Sequence, residues 1–313
     1  MGTVLRPSTG RFVQEAKALP NYSFFDLLHG YVYGRWLYLY VSIATGEHLL
    51  AQFFLPVAGL LKRVFASHTT SSGGNGEARR ITFADTYHGK VVPLDAAVNL
   101  VKVNKDISIS APEHVIPYAV ARDIVLKNPG HIVALQCPCR TARKNPCKPL
   151  DVCLVVGEPF ASFTVDHHPR RSRRVTQVEA VEILRAEEER GHVHHAFFKD
   201  AMLGRFYAIC NCCSCCCGAM QAYRNGTPML ASSGYVATVN RERCVGCETC
   251  SKYCQFQAVT VVDCLKTIDE AKCMGCGVCV SHCKQDAISL AEHPSRGVPL
   301  DIEELMASAT QSN

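Results

Sequence analysis

Apolar residues are not spread evenly along the chain. Residues 1–20 are polar and irregular in pattern. Residues 22–65 are aromatic and apolar with few charges. They include Tyr22, Phe24, Phe25, Tyr31, Tyr33, Trp36, Tyr38 and Tyr40, then Leu49–Leu61. Two uncharged runs, Trp36–Gly46 and Leu49–Leu61, are 11 and 13 residues long. Both fall short of the ~20 residues that cross a bilayer. Two or three helices are expected, broken near Gly46 and Pro56. Such a layer can pack on the rest of the protein or dock a partner subunit. It can also rest on a membrane surface, where Tyr and Trp favour the interface and Lys62–Arg63 would meet anionic headgroups.

Residues 67–80 are Ser-, Thr- and Gly-rich and read as a flexible linker at a domain boundary. A mixed pattern follows. Ala97, Val98 and Val101 give Asp95–Val103 helical spacing, and Ile107–Ser110 alternates as a strand. Tyr118–Lys127 reads as a helix stopped by Asn128-Pro129-Gly130, before a strand at Ile132–Leu135. Thr176 and Glu179 form a capping-box pattern. It opens a helix over Gln177–Arg190, with Val178, Val181 and Leu184 on one packing face, and Gly191 ends it. Pro228–Gly234 reads as a short loop. Strands are expected at Tyr235–Val239, Ala258–Val262 and Ala287–Leu290, the first pairing with the others. Residues 303–313 read as a fraying tail.

The fold class expected is α+β. An aromatic-rich helical region (1–66) and a linker (67–84) precede a cysteine-rich α/β middle domain (85–230). A C-terminal domain (235–292) and a tail (293–313) follow. Composition sharpens this. The chain has 313 residues, 48% of them hydrophobic, which suffices for two or three cored domains. Nineteen cysteines far exceed what packing requires. No charged–apolar–small-residue leader is read at the start. Dense thiols are then expected as metal ligands in the cytoplasm rather than as disulfides.

Eight cysteines form an internal repeat. Cys244, Cys247, Cys250 and Cys254 read C-x2-C-x2-C-x3-C, and Cys273, Cys276, Cys279 and Cys283 read it again, 29 residues on. Zinc usually takes four ligands in paired C-x2-C knuckles, not four-cysteine runs. Residues 235–292 resemble the bacterial-type dicluster ferredoxin domain, which holds two 4Fe–4S cubes. Gly246, Gly275 and Gly277 fit that pattern, since backbone passes close to sulfide there. The resemblance implies one cube on Cys244, Cys247, Cys250 and Cys283, and a second on Cys273, Cys276, Cys279 and Cys254. Gln255 and Lys284 depart from it, because the family usually has proline after each fourth cysteine. Two all-cysteine cubes at about −2 each would bring the formal +5 to about +1. That removes the support for a nucleic-acid partner.

Ten more cysteines lie in the middle domain. Cys137, Cys139, Cys147 and Cys153 occupy a proline-stiffened loop with Arg140, Arg143, Lys144 and Lys148 around them. Positive charge of that kind stabilises thiolates, although such residues also suit an ordinary solvated loop. Cys210, Cys212, Cys213, Cys215, Cys216 and Cys217 crowd into eight residues. Adjacent cysteines point apart, so some of the six are expected to join the first four. Ten thiols suffice for one or two further iron–sulfur clusters; zinc or a thiol relay are the alternatives. Cys264 reads as a free buried thiol or a variant ligand. His192, His194 and His195 read as metal-free histidines, as ligands, or as tuners of a nearby cluster. His167, His168 and Arg170, Arg171, Arg173 and Arg174 form a basic turn, or an anion site. With its CPCR and NCCSCCC signatures, the chain over residues 85–292 resembles bacterial and archaeal 4Fe–4S ferredoxin-type proteins. That resemblance implies iron–sulfur binding and supplies no reaction.

Two functions follow as expectations. One is an electron-transfer protein or subunit working with redox partner proteins. The other is a reductase whose middle-domain cluster reduces a disulfide or small molecule, fed by the ferredoxin domain. No Ser–His–Asp set, phosphate-binding glycine loop or flavin fingerprint is visible, so catalytic residues are not assigned.

Overall fold

The computed structural model describes residues 6–20, 22–52, 70–72, 78–80, 86–111, 115, 122–262 and 265–311. Three helices open it: α1 (Pro7–Ala18), α2 (Phe24–Arg35) and α3 (Leu37–Ala44). The expectation of an irregular start is therefore corrected. Pro7 opens α1, where a missing N–H costs nothing, and Phe12 and Ala16 bury one face. Ser23 caps α2 through a reciprocal box with Asp26. The expected break near Pro56 lies outside the described residues. So does most of the 67–84 linker, apart from a small antiparallel pair, β1 (Thr70–Ser72) and β2 (Ala78–Arg80).

The cysteine-rich middle region is a mixed sheet flanked by helices. In chain order it comprises β3 (Tyr87–Val92), α4 (Leu94–Lys102), β4 (Ile107–Ala111), β5 (Arg122–Gln136), α5 (Pro138–Thr141), β6 (Asp151–Glu158) and α6 (Phe160–His167). Then come β7 (Ser172–Val175), α7 (Gln177–Glu189), β8 (Val193–Lys199), β9 (Arg205–Cys212), α8 (Gly218–Arg224) and β10 (Leu230–Ala231). The strand order is β10-β3-β8-β9-β6-β5-β4, with β7 also on β5. All these neighbours are antiparallel except β10 with β3.

The helix expected at Tyr118–Lys127 is corrected where it can be seen. Residues from Arg122 are strand, and Asn128-Pro129-Gly130 is an irregularity inside β5 rather than a helix stop. Asn128 takes φ 47° there, and the register against β6 shifts between Lys127 and Ile132. Helix α7 forms where expected, with Thr176 accepting from Glu179 N–H. Its packing face differs. Val181 and Leu184 are buried, but Val178 is 70% exposed, and Glu187 and Glu188 turn inward in its place.

The C-terminal region carries β11 (Tyr235–Val239), α9 (Thr249–Tyr253), β12 (Val259–Val262), β13 (Leu265–Ile268), α10 (Val278–Ser281) and β14 (Ile288–Glu292). Strand β11 pairs with β14 as expected, but β12 pairs with β13 instead. The tail is corrected too. Residues Ile302–Gln311 form a helix, α11, whose Ile302 is buried and which packs on β4 and α4. The whole is a mixed α+β chain of N-terminal helices, a cysteine-rich mixed-sheet region and a cysteine-repeat segment.

Candidate metal centre

The sequence repeat is also a repeat of backbone. Gly246 and Gly275 both have positive φ, as do Glu248 and Gly277, and Gln257 and Asp286. Each pair is 29 residues apart. The short helices α9 and α10 start just after the second pair. At the end of each repeat an amide closes back on sulfur: Ala258 N–H donates to Cys254 Sγ at 3.2 Å, and Ala287 N–H to Cys283 Sγ at 3.3 Å. Donors of this kind stabilise thiolate and are a lever on cluster potential. Gly275 cannot carry a side chain, since a Cβ would stand 2.2 Å from Tyr235 O.

The first half then lends a cysteine to the second. One cavity of about 380 Å³, open solvent included, is lined by Cys273, Cys276 and Cys279 from the second repeat and by Cys254 from the first. Ala237, Val259, Ile268 and Leu290 complete an apolar wall. Burial pushes the Cys279 thiol up to about 12, with Cys254 and Cys273 adding to the rise. Such a set loses its protons to a bound cation rather than to water. Cys244, Cys250 and Cys283 are buried or half-buried, and Cys247 is exposed.

The ten middle-domain cysteines divide into two sets. The first is a chain of six. Cys210 meets Cys153, which meets Cys137. Cys137 meets Cys139, which meets Cys217, and Cys217 Sγ lies 3.1 Å from Cys212 Sγ. Strand pairing brings them together. Leu135 faces Cys153 across β5 and β6, while Leu154 faces Ile209 across β6 and β9. All six line one largely apolar cavity of about 900 Å³, open solvent included. The Cys139 thiol pushes Cys137 up to about 12. Cys212 is also raised to about 12 by burial, despite its hydrogen bond with Cys217.

The second set is Cys147, Cys213, Cys215 and Cys216, whose Sγ atoms all lie within 4.8 Å of one another. Around a single ion with metal–sulfur bonds of about 2.3 Å, tetrahedral sulfurs stand about 3.8 Å apart. A cube spreads its thiolates wider, because four irons and four sulfides lie between them. The compact set therefore fits one metal ion. Burial opposes ionisation of Cys216, yet the Cys147 amide and the neighbouring thiols hold its pKa below the ordinary value. Burial raises Cys213 to about 12 and Cys215 to about 11. The set lies nearer the surface than the six, with Cys215 exposed.

Arg140 anchors both loops. Its guanidinium, 1% exposed, donates to Pro149 O at 2.6 Å, to Asn211 O at 3.1 Å and to Glu187 Oε2 at 2.6 Å. It thus ties the 137–153 loop to the strand between Cys210 and Cys212. Arg143 donates to Cys216 O at 3.2 Å and pairs with Glu47, drawing the N-terminal helices in. The three expected histidines are all buried on or beside β8. His192 Nδ1 lies 2.6 Å from Glu187 Oε2, and His194 Nδ1 lies 2.6 Å from Asn211 Oδ1. His192 and His194 thereby brace the frame around the thiols, and none of the three falls in the compact metal-binding set. Most of the basic turn is engaged within the chain. Arg173 pairs with Asp151 and Glu179, Arg174 donates to Ser162 Oγ, and Arg171 stacks on Tyr38. Cys264 lies outside the described residues.

The repeat segment docks on the middle domain through the side chain after Cys254. Gln255 Oε1 accepts from Ser214 N–H at 2.9 Å, and Gln255 Nε2 donates to Gly191 O at 2.9 Å. Nearby, Ser281 donates to Glu188 Oε1 at 2.6 Å, and Tyr253 covers Gly191 so closely that a Cβ there would stand 2.4 Å from its ring.

Residues 237–260 and 266–289 each match the family model for the 4Fe-4S binding domain. The C-terminal segment is an iron–sulfur binding domain. Its two matches contain the two cysteine runs, Cys244–Cys254 and Cys273–Cys283. No curated protein matches the chain. Sequence reasoning missed Gln255 as a docking residue, the division of the ten thiols, and Lys199. That lysine is buried beside the six-thiol cavity at the end of the apolar run Ala196-Phe197-Phe198, and the run was the available signal.

Proposed function

We propose that the chain is an iron–sulfur electron-transfer protein or subunit with two 4Fe–4S cubes in its C-terminal domain and further metal in the middle domain. The observation that carries this reading is the cavity shared by Cys254 of one repeat and Cys273, Cys276 and Cys279 of the other. Cys244, Cys247, Cys250 and Cys283 remain as the complementary set. One-electron exchange at low potential is the chemistry such cubes supply when bound.

The chain's own residues do the rest. Amide donors at Ala237, Ala258 and Ala287 point at Cys273, Cys254 and Cys283 sulfurs. Ala237, Val259, Ile268 and Leu290 wall the Cys254 set with apolar surface. The exposure of Cys247 supports approach of a redox partner protein there, and Gln255 ties the repeat segment to the thiol-rich loop of the middle region. EPR of the dithionite-reduced protein tests the reading. Two neighbouring cubes give a spectrum broadened by spin–spin interaction, and a single unperturbed signal per chain contradicts it.

Two features extend the proposal. Thiol density supports a cytoplasmic location. Phe24 and Phe25 are 71% and 78% exposed, and Trp36, Leu39 and Leu49 are exposed too, which supports peripheral contact with a membrane surface. No helix among the described residues is long and apolar enough to cross one. The reductase reading is favoured by one observation, a second cavity that opens beside Cys139.

A further inference from the structure

Lys199, the last residue of β8, is 2% exposed. Its ammonium makes no hydrogen bond or ion pair among the described residues. It is instead enclosed by rings: Nζ lies 4.4 Å from the Tyr33 centroid, 4.3 Å from Tyr87 and 5.5 Å from Tyr40. Ring faces attract a cation, but they offset only part of the cost of withdrawing it from water. Burial draws its pKa down to about 7 against the opposing charge of Asp200. A strand end in a packed sheet could have carried leucine or methionine at no such cost.

Lys199 also lines a cavity of about 1060 Å³, open solvent included. Tyr33, Tyr40, Tyr87 and Val41 form its inner wall, and Thr45, Asn225 and Thr227 lie among the polar residues that line it. It adjoins the six-thiol cavity, since Tyr33, Val41, Tyr87, Cys139 and Ala219 line both. The site therefore combines one buried amine without a hydrogen-bonded counter-charge among the described residues, aromatic walls and a neighbouring set of buried thiols.

We propose that this cavity binds a small organic monoanion with an apolar body, of the carboxylate class, its anionic end at Lys199 and its body between the tyrosine rings near Cys139. A single cation matches a single negative charge. A dianion such as phosphate would bring one charge too many into an apolar chamber. The apolar walls exclude strongly hydrated ions and reward a ring or short chain. This site goes beyond electron carriage and does not require it.

Calorimetric titration of the anaerobically prepared full chain at pH 6.5 tests it, with benzoate as probe and benzamide as its neutral counterpart. Benzoate is expected to bind at one site per chain, at least tenfold more tightly than benzamide. Lys199→Met should weaken benzoate at least tenfold while the melting temperature holds or rises, since a buried charge has been removed. Ala222→Phe, which fills the cavity and keeps the lysine, should weaken both probes. A flat benzoate titration, equal affinity for the two probes, or unchanged benzoate affinity in Lys199→Met overturns the proposal. Binding is read as heat, so its failure stays distinct from any failure of the iron–sulfur reading.

Discussion

Gln255 and Ser214 are joined by a 2.9 Å hydrogen bond from the Ser214 amide to the Gln255 side chain. Gln255 follows Cys254 directly, and Ser214 sits between Cys213 and Cys215. One side chain thus connects the inner thiol set of the repeat segment with the thiol-rich loop of the middle domain. Proline, usual at this position in dicluster ferredoxins, could not make the bond. Replacing Gln255 by Pro should leave the iron content unchanged. It should raise hydrogen exchange at the Ser214 amide by about fivefold, the value of one hydrogen bond of about 1 kcal/mol. Unaltered exchange would mean that the contact does not hold the two parts together.

The compact thiol set should be separable from the rest. Cys147→Ser is expected to remove about one metal ion per chain, as fits a single tetrathiolate site. The C-terminal EPR signals should remain. Cys210→Ala combined with Cys212→Ala should instead remove metal bound by the six-thiol set. Metal analysis beside EPR checks both, and loss of the C-terminal signals in either variant would contradict the division.

The Arg140–Glu187 pair should make stability depend on pH. Burial alone would raise the Glu187 carboxyl, but the His192 hydrogen bond and the Arg140 charge outweigh it and hold the pKa below the ordinary 4.5. A depressed carboxylate stabilises the fold above that value and loses its contribution as pH falls through the folded pKa. Glu187→Gln leaves a buried guanidinium without its counter-charge, at a cost of about 3–5 kcal/mol. Denaturation should show the full difference from wild type near pH 7. The difference should shrink as pH falls below 4.5 and through the depressed folded pKa, where wild-type Glu187 also becomes neutral. A difference independent of pH would remove the ion pair from the explanation.

Much of this arrangement was legible in the sequence, for physical reasons that also mark where legibility ended. The eight-cysteine repeat is a local signal, because each run needs only a tight turn and a short helix to form. The division of the other ten cysteines is not local. It depends on β5, β6 and β9 lying side by side, which brings Cys137, just past the end of β5, together with Cys153 of β6 and Cys210 of β9. Asn128-Pro129-Gly130 looked like a helix stop because Asn and Gly also serve bulges, and β5 uses them that way. Helix α11 was missed although its signal was present. Asp301 accepts from the Glu303 and Glu304 amides ahead of Ile302, Leu305 and Met306 at helical spacing.

Membrane contact should rest on the exposed rings of α2. Each phenylalanine contributes about 1.5–3 kcal/mol when its side chain leaves water. Phe24→Ser with Phe25→Ser should therefore reduce co-flotation with anionic vesicles more than tenfold without changing thermal stability. Equal flotation of wild type and variant would assign those residues another role.

Iron and acid-labile sulfide per chain, measured after strictly anaerobic reconstitution of a variant lacking the ten middle-domain cysteines, test the central claim most directly. The account predicts about eight irons and eight sulfides, four of each per cube, on Cys244, Cys247, Cys250, Cys254, Cys273, Cys276, Cys279 and Cys283. A folded but colourless protein, or one carrying zinc alone, would contradict it.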